Sequence, residues 1–239
     1  MLVSLSKKFV FIHIYKTGGR SVREALQGYC YHPQSNLINR SCNKVIRTVS
    51  GNKPKKYFDI KGLYPLLSRS HSKASEIEAM KPKIFNKFYT FAFVRNPWDW
   101  QVSLYYFMLE NPGYFQHEFI KEFANFKDYI KWRVHNEVRY QSDFLYNQDG
   151  ELAVDYVGRL ETIEEDFNFL CNKFNLNASL PHKNRSQHKK YLELYDEESK
   201  ELVENAFQKD IKLLGYSFDA YDKRPVRELI QKNLKYFDK

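Results

Sequence analysis

Two apolar runs constrain this chain more than anything else in it: each stops at residues able to hold an anion and then continues with helical spacing. The first is Phe9-Val10-Phe11-Ile12-His13-Ile14, followed by Tyr15-Lys16-Thr17-Gly18-Gly19-Arg20-Ser21. Its β-branched and aromatic residues read as a short buried strand. Gly18 and Gly19 open backbone conformations closed to other residues and let an anion come close to the main chain. Val22, Ala25, Leu26 and Tyr29 then fall on one face of a helix that starts near Gly19. The free N–H groups and the positive dipole end of such a helix point at whatever lies over the loop. Lys16 adds a mobile charge, and Thr17 and Ser21 add hydroxyls, so strand, Lys-Thr-Gly-Gly and helix together predict an anion cradle.

The second run, Phe91-Ala92-Phe93-Val94, ends in Arg95-Asn96-Pro97. Asn96 is a good N-cap and Pro97 a good first helical residue. Trp98, Val102, Tyr105 or Tyr106, and Leu109 continue at helical intervals. Ser103 lies two turns in, and helical side chains lean back toward the N-terminus. Arg95 as a fork and Ser103 as a neutral donor are therefore expected to reach one phosphate. Neither run is a Walker A loop, which needs Gly, four residues, then Gly-Lys-Ser/Thr. Here the lysine precedes the glycines, and no strand clearly ends in an aspartate suited to magnesium.

The stretch Phe11-Ile12-His13-Ile14-Tyr15-Lys16-Thr17-Gly18-Gly19-Arg20-Ser21 resembles the 5′-phosphosulfate loop of sulfotransferases. Phe93-Val94-Arg95-Asn96-Pro97-Trp98-Asp99, followed by Ser103, resembles their 3′-phosphate motif. The pair is similar to that of the carbohydrate and bacterial branch, written F-x-H-x-P-K-T-G-G-T-S and R-N-P-x-x-R-x-x-S. The stretches 155–167, 184–191 and 210–216 fit the same branch, so the resemblance covers roughly residues 8–218. Three positions depart from it: Tyr15 stands for the usual proline, Arg20 for threonine and Trp100 for arginine.

The resemblance implies a P-loop-NTPase-like α/β fold, a three-layer sandwich with a mostly parallel central sheet. It also implies transfer of a sulfuryl group from 3′-phosphoadenosine 5′-phosphosulfate (PAPS) to an acceptor hydroxyl, with adenosine 3′,5′-bisphosphate as product and a carbohydrate as acceptor. In-line transfer of this kind is mostly positioning and charge stabilisation, and its leaving group is good enough that no metal is required. The donor-binding set is then Lys16, Thr17, Gly18, Gly19, Arg20, Ser21, Arg95, Ser103, Arg159, Arg185 and Ser186, with Glu161 and Lys183 beside them. Lys16 also counts as catalytic, because it faces the oxygen that gains charge. An alcohol acceptor benefits from a base near neutrality. His71, in the polar turn Ser68-Arg69-Ser70-His71-Ser72, is the candidate. His13 reads as a core histidine and His182 and His188 as positional, while His32, His117 and His135 carry no signal. Two other classes remain open: a P-loop-like small-molecule kinase, and a non-catalytic basic protein that binds polyanions.

With 239 residues, 43 % of them apolar and 17 % aromatic, the chain suits one α/β core. The net charge of +9, from 38 basic and 29 acidic side chains, suits an anionic nucleotide and an anionic acceptor. It would suit nucleic acid equally, but the motif pair directs it to a nucleotide, and no nucleic-acid partner is expected. Cys30, Cys42 and Cys171 show no metal spacing and are expected to be reduced. No apolar run is long enough to span a bilayer, and the segment before the first strand is too short for a signal peptide, so a cytoplasmic enzyme is expected. A single domain, 1–239, is predicted, with a loop-rich insertion at 33–56 and an aromatic helical cap or acceptor-cleft wall at 111–142. A hairpin or short strand pair is predicted around Gln148-Asp149-Gly150, helices at 161–174 and 196–214, and an amphipathic tail at 222–239 that docks on the body or forms a dimer contact.

Overall fold

The computed structural model describes residues 1–33, 36–50, 59–181 and 191–234. In chain order the first half holds β1 (Leu2–Ser4), β2 (Phe9–Ile12), α1 (Gly19–Leu26), α2 (Leu37–Ser50), α3 (Tyr64–Leu67), α4 (Ala74–Met80), α5 (Pro82–Phe85) and β3 (Tyr89–Val94). Then come α6 (Pro97–Glu110), α7 (His117–Lys121), α8 (Phe126–Asn136), β4 (Tyr156–Arg159), α9 (Ile163–Phe174), α10 (Glu197–Ala206), α11 (Gln208–Leu214) and α12 (Val226–Leu234).

The strands form one sheet in the order β1-β2-β3-β4. β2, β3 and β4 run parallel, and β1 closes one edge antiparallel to β2. Alternation along the strands sorts their side chains to two faces. Phe9, Phe11, Phe91 and Phe93 pack with Val22 and Leu26 of α1 and Phe167 and Leu170 of α9. Val10, Ile12, Ala92 and Val94 pack on the other face with Ala74 and Ile77 of α4, Leu213 and Leu214 of α11, and Val226 and Ile230 of α12. This is the three-layer α/β arrangement expected of the sequence. A further cluster joins α6, α7, α8 and α10 around Trp98, Trp100, Tyr129 and Phe207, so the aromatic segment 111–142 is packed as core along much of its length. The three cysteines are free.

Several local expectations are corrected. Residues 33–56 are not mainly loop: α2 occupies Leu37–Ser50, and Asn36 caps it by accepting the N–H groups of Ile38 and Asn39. The single helix expected at 196–214 is two, because the chain turns at Phe207, with φ −106° and ψ 19°. The turn buries the Phe207 ring beside Trp100 and Tyr140. The pairing expected around Gln148-Asp149-Gly150 is present in its shortest form: Tyr146 bridges Leu152 antiparallel across the turn at Gly150, and the Ala153 N–H donates to the Leu145 carbonyl at 2.9 Å. The described part of the tail, α12, packs on its own chain.

Candidate active site

β2 and β3 are hydrogen-bonded neighbours and end side by side, which brings the two motifs together at the carboxyl edge of the sheet. After β2 the backbone turns through left-handed conformations at Lys16 (φ 63°) and Gly18 (φ 80°). α1 begins at Gly19 with no side-chain cap and no acidic residue in its first turn, so its first N–H groups remain directed at the loop. Gly19 is not in a left-handed conformation and is needed for a different reason. A Cβ there would stand 1.9 Å from Cδ2 of His13, so the helix can lie against the strand end only without a side chain.

Lys16 lies half-buried over this turn, with Nζ 4.6 Å from the ring centre of Phe107. Burial, with Arg95 and Arg20 nearby and Glu110 opposing them, lowers its pKa to about 8. Arg95 is buried where β3 ends. Its Nε donates to Asp99 Oδ2 at 2.7 Å and its Nη1 to the carbonyl of Lys16 at 3.2 Å. Asn96 caps α6 by accepting the N–H of Trp98, with Pro97 in the first turn, as the sequence predicts. Asp99, Ser103 and Phe107 are spaced by four on α6 and share one ridge. Asp99 holds Arg95 and Phe107 underlies Lys16, so Ser103 sits on the ridge between the two cations. Lys16, Arg95 and Ser103 are thereby gathered along one line.

His71 reaches the same loop from the segment before α4. Its Nδ1 lies 2.9 Å from the carbonyl oxygen of His13, and its ring centre lies 4.5 Å from that of His13 and 5.7 Å from that of Tyr15. A ring nitrogen facing a carbonyl must carry the proton, so in the neutral ring the lone pair is on Nε2. Desolvation lowers the His71 pKa below its ordinary value, although the bond to His13 opposes this, and the neutral form is favoured.

Two sequence expectations change here. Thr17 is fully buried and its Oγ1 donates to the carbonyl of Ile14 at 2.9 Å, so the hydroxyl shapes the turn and is not presented to a ligand. Arg159 is not presented to the loop. It is buried, its Nη2 donates to the carbonyls of Leu214 and Asp222, and its guanidinium lies over the rings of Tyr216 and Tyr221. Ser21 lies in the first turn of α1, and Arg20 is exposed beside it. Lys183, Arg185 and Ser186, with His182 and His188, lie outside the described residues.

Other contributors went unnoticed in the sequence. Asp99 was legible as the acid four residues after Arg95, and Phe107 as the next ridge position, but Gln141, which grips the Arg95 peptide, carries no local signal. His13 has its Nδ1 without a hydrogen-bond partner among the described residues, and burial with His71 alongside pushes its pKa down to about 2. Two of the departures from the family pattern are neighbours. Trp100 Nε1 donates to the carbonyl of Tyr15 at 2.7 Å, and the two rings lie 4.9 Å apart.

The sulfotransferase family model matches residues 1–217, which includes both motif strands and every element from β1 to α11. The chain belongs to the sulfotransferase family. No individual curated protein matches it significantly. As a sulfotransferase it moves a sulfuryl group to an acceptor. Among the described residues no group of three or more His, Cys, Asp or Glu side chains is placed to hold a metal. No helix among them is long and apolar enough to cross a membrane.

Proposed function

We propose that this sulfotransferase uses PAPS as donor and a hydroxyl, that of a carbohydrate, as acceptor. The strongest support for the donor is that the uncapped helix end with Lys16 and the Arg95 turn meet at 3.2 Å, so one anionic nucleotide can be held at both ends. The residues fit that ligand: two cations, an open helix N-terminus and a glycine pair that admits an anion to the backbone. When bound, PAPS supplies an activated sulfuryl group on a phosphate leaving group. Lys16 and the N–H groups at the start of α1 hold the 5′ end, where negative charge grows. Arg95, braced by Asp99, and Ser103 hold the 3′-phosphate. His71 accepts the acceptor's proton at Nε2, with its ring oriented by the bond from Nδ1 to His13. The carbohydrate assignment rests on the likeness of the motif pair to the carbohydrate branch.

Calorimetric titration and thermal unfolding with adenosine 3′,5′-bisphosphate test the donor site. A ligand concentration of 100 Kd is expected to stabilise the protein by about 2.7 kcal/mol. Lys16→Ala and Arg95→Ala each weaken binding. His71→Ala leaves binding intact and lowers turnover by about 10²–10⁴. Absence of stabilisation, or salt-sensitive polyanion binding indifferent to Lys16→Ala, would overturn the donor assignment. Retained turnover in His71→Ala would remove that residue from the mechanism.

A further inference from the structure

The turn that carries Arg95 is gripped by a side chain with no part in the chemistry. Gln141 is fully buried, and its carboxamide lies edge to edge with the Arg95 peptide. The Arg95 N–H donates to Gln141 Oε1 at 2.9 Å, and Gln141 Nε2 donates to the Arg95 carbonyl at 2.8 Å. The carboxamide thus stands in for a strand partner where β3 stops. Gln141 is itself seated by Asp210 of α11, a fully buried carboxylate. Asp210 accepts the Gln141 N–H at 2.6 Å, the Ser142 N–H at 3.1 Å and the Ser142 hydroxyl at 2.6 Å. On the far side of the turn, Glu161 accepts the Asn96 N–H at 2.7 Å and the Tyr216 hydroxyl at 2.9 Å.

This arrangement suits a lever. The guanidinium of Arg95 stands at the end of a long side chain, so a small rotation of its backbone would move the charge by a distance that matters for ligand geometry. Two antiparallel bonds to one planar amide fix that backbone. The carboxamide of Asn or Gln offers a donor and an acceptor side by side in one plane without titrating, and Asn is one methylene shorter. Asp210 uses both oxygens to hold residues 141 and 142, so the position of the amide is set by α11, which turns inward at Phe207.

We propose that Gln141, seated by Asp210, is a positioning residue that sets the nucleotide site's preference for a 3′-phosphate by fixing the backbone from which Arg95 reaches. This rests on the reading of Arg95 as the 3′-phosphate ligand. The measurement is the ratio of the Kd for adenosine 5′-monophosphate to that for adenosine 3′,5′-bisphosphate, by calorimetry at fixed salt. Gln141→Met keeps the length and removes both bonds. It is expected to lower the ratio about tenfold, with 5′-monophosphate binding little changed. Gln141→Glu keeps an acceptor for the Arg95 N–H but loses the donor, and its ratio should fall between the two. It also serves if the methionine variant does not fold. Ser142→Ala removes one partner of Asp210 and leaves the amide clamp, so its ratio should match wild type even if its stability drops. A folded Gln141 variant with the wild-type ratio, or with both affinities weakened equally, would overturn the proposal, since a merely structural role predicts that pattern. A wild-type ratio near one removes the 3′-phosphate reading of Arg95, and this inference with it.

Discussion

A lysine whose pKa is brought down to about 8 lies close to losing its charge in mildly alkaline buffer, and an incoming anion restores it. Lys16 is in that state because burial and the neighbouring Arg95 both disfavour the ammonium, whereas a bound phosphate group favours it. The sign follows: nucleotide binding raises the Lys16 pKa, so near pH 8.5, roughly half a unit above the value in the free protein, the complex takes up protons. Calorimetry of adenosine 3′,5′-bisphosphate binding in two buffers of different ionisation enthalpy is expected to show uptake of a substantial fraction of one proton in the wild type. Lys16→Met should abolish it, and equal uptake in both proteins would place the titrating group elsewhere. At this scale the sequence was informative where chemistry is local. The helix start at Gly19 and the cap at Asn96 are read from their immediate neighbours. Arg159 was not, because its direction depends on register. It pairs with Val94, so its side chain leaves the sheet on the face covered by α11 and α12.

At the scale of elements, the contact between β2 and α1 is set by one absent side chain. A Cβ at Gly19 would lie 1.9 Å from Cδ2 and 2.2 Å from Nε2 of His13. The His13 ring has little room to give, since it is buried between Phe11 and His71, at centroid distances of 5.8 Å and 4.5 Å. Gly19→Ala is therefore expected to destabilise the protein by about 2–4 kcal/mol and to abolish nucleotide binding, because the helix end must move off the strand. His13→Ala removes the obstacle, so the double variant should lose less stability than the two single losses added together, with a coupling of about 1–2 kcal/mol. Denaturant unfolding of the three variants measures this, and strict additivity would show that the ring is not what α1 rests on. The elements themselves were largely legible. β2, β3 and the start of α6 are marked by apolar runs and a side-chain cap, and the adjacency of the two strands is what a ligand common to both motifs would require. The break at Phe207 was not legible, since the segment's helical stripe is continuous and only the tertiary burial of one ring decides the turn. For the same reason Gln141 was missed: its partner Arg95 is distant in sequence, and nothing near it marks a buried amide.

Over the whole molecule, two buried groups in separate parts of the fold act on acid stability in opposite senses. His13 is held neutral: its pKa falls from 6.5 to about 2, chiefly through burial. In the unfolded chain it binds a proton below its ordinary pKa, so the stability it contributes is present near neutrality and is lost as pH falls. Asp210 does the reverse. Burial raises its carboxyl from 3.8 to about 6 against the bonds from Gln141 and Ser142, so the folded protein holds a proton there that the unfolded chain releases. Its contribution is greatest in acid and is lost as pH rises toward the folded value. Near pH 5, roughly midway through the shared window, folding releases one proton from the histidine and binds one at the aspartate, and the two slopes of about 1.4 kcal/mol per pH unit offset each other. Asp210→Asn removes one side of that balance. Relative to wild type, its stability is expected to fall by about 1.4 kcal/mol for each pH unit of acidification across this window. His13→Phe should show the opposite trend. All other titrating groups are common to the three proteins and drop out of the differences. Urea unfolding at three pH values spanning the window measures them, and curves for Asp210→Asn that run parallel to wild type would mean that the carboxyl under the Arg95 turn is already ionised in the folded protein throughout the window. Gln141 would then be seated on a charge at every pH in the window, and not only above about pH 6.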